Sequence, residues 1–180
     1  LHLSIRRQRQ MCIRDRRSSY GLGEVLKAAL DNQAKHIVIS LGGIGSFDAG
    51  AGMLQALGAK FYDDEANIVD VSEGAYKIKY IRRIDLSDVH PQLANAKLQL
   101  MSDFSSRLYG KQSEIMQTYQ TFQLNQSEAA EIDNLVWYFS ELFKSELKLA
   151  IGPIERGGAG GGIAAVLKGL YQAEILTSHE

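Results

Sequence analysis

The chain has 180 residues, 45% of them apolar, which suits one domain with a real core and is short for two. No run reaches the roughly 18 uninterrupted apolar residues that a membrane-spanning helix needs, and the single Cys12 rules out an internal disulfide and a cysteine-only metal site, which fits a reducing, cytoplasmic compartment. The net charge of −1 hides an asymmetry: residues 1–17 hold six Arg and one Asp, leaving 14 basic and 20 acidic side chains in residues 18–180, so the body lacks the basic face that a nucleic-acid partner requires.

The stretch LHLSIRRQRQMCIRDRR (residues 1–17) shows neither helical nor strand periodicity and no capping signal, which predicts a disordered tail outside the fold. It closely resembles a translated sequencing adapter and is read as non-native. From Tyr20 the pattern turns regular. GLGEVLKAALDN places Val25, Leu26, Ala29 and Leu30 on one helical face. HIVISL (36–41) is short, β-branched and apolar, which predicts a buried parallel strand. A glycine turn and a second helix ending at Gly58 follow, then a short strand over 60–62 and the polar turn DDEAN. Residues 75–83 are ambiguous; IDLS (84–87) and LQLMSD (98–103) read as strands. Ser127 is the expected cap of a long helix whose Ile132, Leu135, Val136, Phe139, Leu142, Phe143 and Leu147 form one apolar stripe, with Trp137 beside it as packing. After Pro153, the run GGAGGG (157–162) introduces a last helix. Alternating strands and helices predict an α/β unit over residues 18–175, with a mixed or mostly parallel sheet and flanking helices.

Three features carry candidate chemistry. LGGIGSFDAGAGM (41–53) follows a strand, so the amides of Gly42 and Gly43 can meet an anion, with Ser46 and Asp48 adding a hydroxyl and a carboxylate; tight strand–helix packing also demands glycines there. The segment lacks the Gly-Lys-Ser/Thr ending of a Walker loop. Asp103, at the end of a strand, can hold Mg2+, orient a hydroxyl, act as a base, or simply cap its turn. Gly157, Gly158 and Gly160 make either a second amide cradle or a hinge. His36, His90 and His179 lie too far apart in sequence for a zinc pattern.

In their order these motifs resemble the glycerate kinase family. SYGLGEVL (19–26) is similar to that family's S-x-G-x-G-E-L-I, and SLGGIGSFDAGAGMLQALGA (40–59) to its glycine segment. IDLSDVHPQL (84–93), MSDFSSRLYG (101–110) and RGGAGGGIA (156–164) resemble three later motifs. The resemblance implies two interleaved α/β domains, of which this chain looks like the inserted second one, with residues 176–180 as a truncated end. It also implies ATP and Mg2+ as cofactors and D-glycerate as substrate, with Asp48 and Asp103 in catalytic positions and Gly42, Gly43, Ser46, Gly157, Gly158 and Gly160 in binding ones. Departures are Ile44, Gly45, Phe47 and Ala49, where the family has Ser, Ala, Asn and Gly; Ser105, Ser106 and Arg107 in the second motif; and YQTFQL (119–124) in place of F-G-P-Q-K-G. They leave open an inactive ligand-binding or regulatory homologue, or a kinase for another small hydroxy acid. Removing residues 1–17 is expected to leave the cooperative thermal transition in place, as followed by circular dichroism.

Overall fold

The computed structural model describes residues 17–177; the expected tail over 1–16 and the end over 178–180 lie outside the described residues. Helix α1 (Tyr20–Asp31) leads into strand β1 (His36–Ser40), helix α2 (Ala51–Ala56) and strand β2 (Lys60–Tyr62). A 3-10 helix over Ala75–Tyr80, strand β3 (Arg83–Asp85) and a second 3-10 turn over Pro91–Asn95 precede strand β4 (Lys97–Met101). Helices α3 (Glu114–Thr118), α4 (Gln126–Glu146) and α5 (Ile163–Tyr171) and strand β5 (Glu174–Leu176) complete the order.

The expected α/β unit is observed, with its strands divided between two sheets. β1, β4 and β5 form a wholly parallel sheet in the order β1-β4-β5, in which Ile39 pairs with Leu100 and Leu100 with Ile175. β2 and β3 form a separate antiparallel ribbon, with Phe61 opposite Ile84. Period-2 alternation assigns the faces of the parallel sheet. Leu98 and Leu100 point into the core, whereas the opposite face carries Val38 at 58% exposure and the polar ladder His36–Gln99–Glu174, with contacts of 2.6 and 2.7 Å.

The core joins Leu26 and Leu30 of α1, Met53 and Leu54 of α2, the inner face of β4, Phe139 and Phe143 of α4, and Ile163 to Leu167 of α5. Val25, expected on the inner face of α1, is 67% exposed, because the buried stripe follows Leu26 and Leu30 one position on. The long helix starts with a capping box: Asn125 accepts from the Glu128 amide, and the Glu128 carboxylate accepts from the Asn125 amide. Asn125 therefore takes the role expected of Ser127, since its Oδ1 sits three residues before the donor that needs it. Trp137 is 47% exposed and adds little to the core. Phe139 is fully buried, meets Phe61 edge-on at 5.8 Å and Phe143 at 5.0 Å. Phe139→Ala is expected to cost about 3–5 kcal/mol, measured as a fall in the denaturant midpoint.

Candidate functional site

Register places the site. β1 and β4 are parallel neighbours that end level, Ser40 beside Met101, and the Leu41 amide extends the ladder to the Met101 carbonyl at 2.9 Å. Gly42–Gly43 and Ser102–Asp103 therefore leave the sheet side by side at its carboxyl edge, where ligands of open α/β sheets bind. A Cβ built on Gly42 or Gly43 meets nothing within 4 Å, and Gly43 holds φ +72°, so this turn shows bare backbone to solvent. Asp103 is exposed on the neighbouring loop.

Behind the turn lies a 570 Å³ cavity lined by Arg17, Ser18, Ser19, Ser40 and Ser46, with Ile44 and Ile163 as apolar walls. Ser46 is 6% exposed, and its Oγ has no hydrogen-bond partner among the described residues. Leaving such a hydroxyl unpartnered costs about 1–3 kcal/mol; Ser46 lines the cavity, with its Oγ shielded from solvent. Arg17, expected to belong to the tail, is packed instead: its guanidinium lies 4.9 Å from the centre of the Phe122 ring.

Asp48 is fully buried, and both oxygens of its carboxylate are hydrogen-bonded. Oδ2 accepts from the Ser19 amide at 2.8 Å, the Ser19 hydroxyl at 2.9 Å, the Gly52 amide at 3.1 Å and the Ser18 hydroxyl at 3.4 Å, while Oδ1 accepts from the Gly50 amide at 3.1 Å. The Ser19 hydroxyl also accepts from the Met53 amide. A side chain at position 52 would put a Cβ 2.1 Å from Ser18 Oγ, so the latch requires glycine there.

The run Gly157–Gly162 is buried throughout. Gly157 and Gly158 donate to the carbonyls of Ile154 and Ser106, and the amides of Gly160 and Gly161 bond the Glu114 carboxylate. A Cβ on Gly161 would sit 1.8 Å from the Ser46 carbonyl, so the turn packs directly beneath the Gly42–Ser46 loop. Glu114 is 6% exposed. Burial pushes its carboxyl above the ordinary 4.5, and the two glycine amides oppose that shift.

Phe47 points away from the cavity into a small cluster with Ile115 and Ala129, and meets Phe122 edge-on at 5.0 Å. Two of the departures noted in the sequence, Phe47 and the YQTFQL segment, thus make one contact. The sequence reading missed Ser18 and Glu114, which carry no motif of their own, and the role of the Ser19 hydroxyl, although Ser19 opens the SYGLGEVL motif. It also missed Arg156, for which a cation directly before a glycine run was an available signal.

The fold is that of an α/β protein with a candidate glycine-loop site at its sheet edge, and comparison with known proteins narrows the class. The model of the glycerate kinase family matches residues 1–180, and the chain belongs to that family. It is 29% identical over 163 residues to a glycerate kinase of Halalkalibacterium halodurans and, over the same length, to glycerate 2-kinase of Escherichia coli K12, covering 91% of this chain and 42% of each relative. A structure assigned as glycerate kinase 2 from Salmonella typhimurium LT2 superposes with a TM-score of 0.83 at 28% identity, covering 91% of this chain and 44% of that one. The chain thus spans less than half the length of the relatives it matches.

Because the folded-state pKa of Glu114 is raised, the native protein binds more protons than the unfolded chain above the ordinary value, so the contribution of Glu114 to stability falls as pH rises from about 4.5 through the folded value. Glu114→Gln is expected to lose less stability than wild type as pH rises above the ordinary carboxyl value of 4.5, as read from urea midpoints.

Proposed function

We propose that this chain is the substrate-holding part of a kinase that moves the γ-phosphoryl group of ATP to a hydroxyl of D-glycerate. The observation that carries this reading is the open Gly42–Gly43 turn beside a cavity lined by serines, in a chain of the glycerate kinase family. Phosphoryl transfer asks a protein mainly for positioning and for neutralisation of charge. Amides of Gly42 and Gly43 hold an oxyanion, and Ser46 with Ser18 and Ser40 offers hydroxyl partners to a small hydroxy acid. Asp103, exposed at the same edge, fits a magnesium ion that keeps most of its ligands from phosphate and water; that ion would neutralise charge on the transferred group. Asp48 acts as a positioning residue, because its buried carboxylate is held by donors from Ser18–Ser19 and Gly50–Gly52, of which Ser18 and Ser19 line the cavity. Gly157, Gly158 and Gly160 serve this site by close packing beneath it. Among the described residues no helix is long and apolar enough to cross a membrane, and a cytoplasmic location is the companion proposal.

A second reading, a homologue that binds a ligand without turnover, is favoured by Glu114, whose carboxylate takes the glycine amides that would otherwise meet an anion. The test is a protein extended to the length of its relatives, assayed for ADP release with D-glycerate and a panel of other small hydroxy acids. Turnover on glycerate is expected, with Ser46→Ala lowering kcat/KM by about tenfold to a hundredfold. Saturable glycerate binding without ADP release would establish the second reading in its place.

A further inference from the structure

The glycine segment from Leu41 to Met53 holds no Lys or Arg, nor do residues 102–106, the part of the second loop that leaves β4, so the first residues of both loops bring none of the positive charge that an anionic ligand calls for; Arg107 and Lys111 follow further along the second loop and are exposed. Arg156 lies at that edge. It stands directly before the buried glycine turn with φ +60°, a left-handed conformation that costs a non-glycine residue free energy and survives where something else is gained. Its Nη2 donates to the Ser102 carbonyl, at the peptide that joins Ser102 to Asp103. Ser102 is itself fixed, because its amide donates to the Leu176 carbonyl at 2.9 Å and its hydroxyl accepts from the Phe104 amide. One guanidinium donor is thereby spent on holding the side chain beside the loop of Asp103. Among the described residues no carboxylate lies within ion-pair distance of the group, and Ser102 is its one hydrogen-bond acceptor. A half-buried guanidinium with most of its planar fork unmatched is suited to a ligand oxyanion, which it can meet through two parallel N–H donors. Arg17, which lines the cavity behind the Gly42–Gly43 turn, has its face against the Phe122 ring.

We propose that Arg156 is the anion-contacting cation of this site, reading a carboxylate or phosphoryl group presented at the carboxyl ends of β1 and β4. The assignment rests on the kinase reading of the same edge. The test uses the full chain and two probes, D-glycerate and inorganic phosphate, titrated while the amide signals of Gly42 and Gly43 are followed by NMR. Arg156→Gly separates folding from binding: glycine accepts φ +60° without strain, so its melting temperature should hold or rise while the charge is lost. Its dissociation constant for at least one probe is expected to increase about tenfold or more, with Arg156→Lys in between. A loss confined to glycerate assigns the carboxylate, and a loss confined to phosphate assigns the phosphoryl group. Arg156→Gln, which keeps a donor for the Ser102 carbonyl, carries the comparison if the glycine variant does not fold. Equal affinities in wild type and variant, with the Gly42 and Gly43 shifts intact, would overturn the role of Arg156 and leave the kinase reading standing. No saturable shift in the wild-type chain would overturn both.

Discussion

The Asp48 carboxylate organises the part of the molecule on which any ligand chemistry depends. A carboxylate at zero exposure is tolerated only when its oxygens are matched by hydrogen-bond partners, since an unmatched one costs several kcal/mol. Here the donors come from two segments far apart in sequence, Ser18–Ser19 at the entrance to α1 and Gly50–Gly52 at the start of α2. The requirement to satisfy one buried charge therefore fixes the angle between the two helices, and with it the wall of the cavity that Ser18, Ser19 and Ser46 line. The same acid that looks available for chemistry in a linear motif spends its lone pairs on architecture.

A second layer of constraint lies directly beneath. The run Gly157–Gly162 brings backbone against backbone, with Gly161 on the Ser46 carbonyl and Gly158 on the Arg107 carbonyl, distances at which no side chain fits. Its free amides are answered by Glu114 from α3, so the segment carrying Phe122 is tied to the glycine turn at one end and to Phe47 at the other. Glycine-rich strings at strand–helix junctions have two uses, cradling anions and allowing close packing, and the two strings here differ: the Gly42–Gly43 turn is open, whereas Gly157–Gly162 is filled.

Those two assignments also explain the departures from the family pattern. Phe47 would be an intrusion if it faced the cavity, but its ring turns into the cluster with Ile115, Ala129 and Phe122, where burying apolar area stabilises the loop from behind. The replaced YQTFQL segment supplies the partner ring. Two changes that look independent in sequence compensate each other in space, and the cavity keeps its row of hydroxyls.

Local pattern alone determined a good deal. The β-branched run 36–41, the apolar stripe of α4 and the glycine stops appear close to where the reading placed them, because period and punctuation are properties of neighbouring residues. That the Gly42 and Asp103 loops each follow a strand was legible too, whereas their adjacency came from the pairing of β1 with β4. Finer points were decided by competition among local signals: Asn125 beat Ser127 as the cap, and Leu26 rather than Val25 set the buried stripe of α1. What only the tertiary structure could decide was the state of each polar group. Whether Asp48 is hydrogen-bonded on both oxygens, Ser46 left without a partner, the last glycine turn filled by Glu114, or Arg156 held beside Asp103 depends on donors and acceptors that arrive from tens of residues away, and burial makes each of those matches obligatory only once the chain has closed.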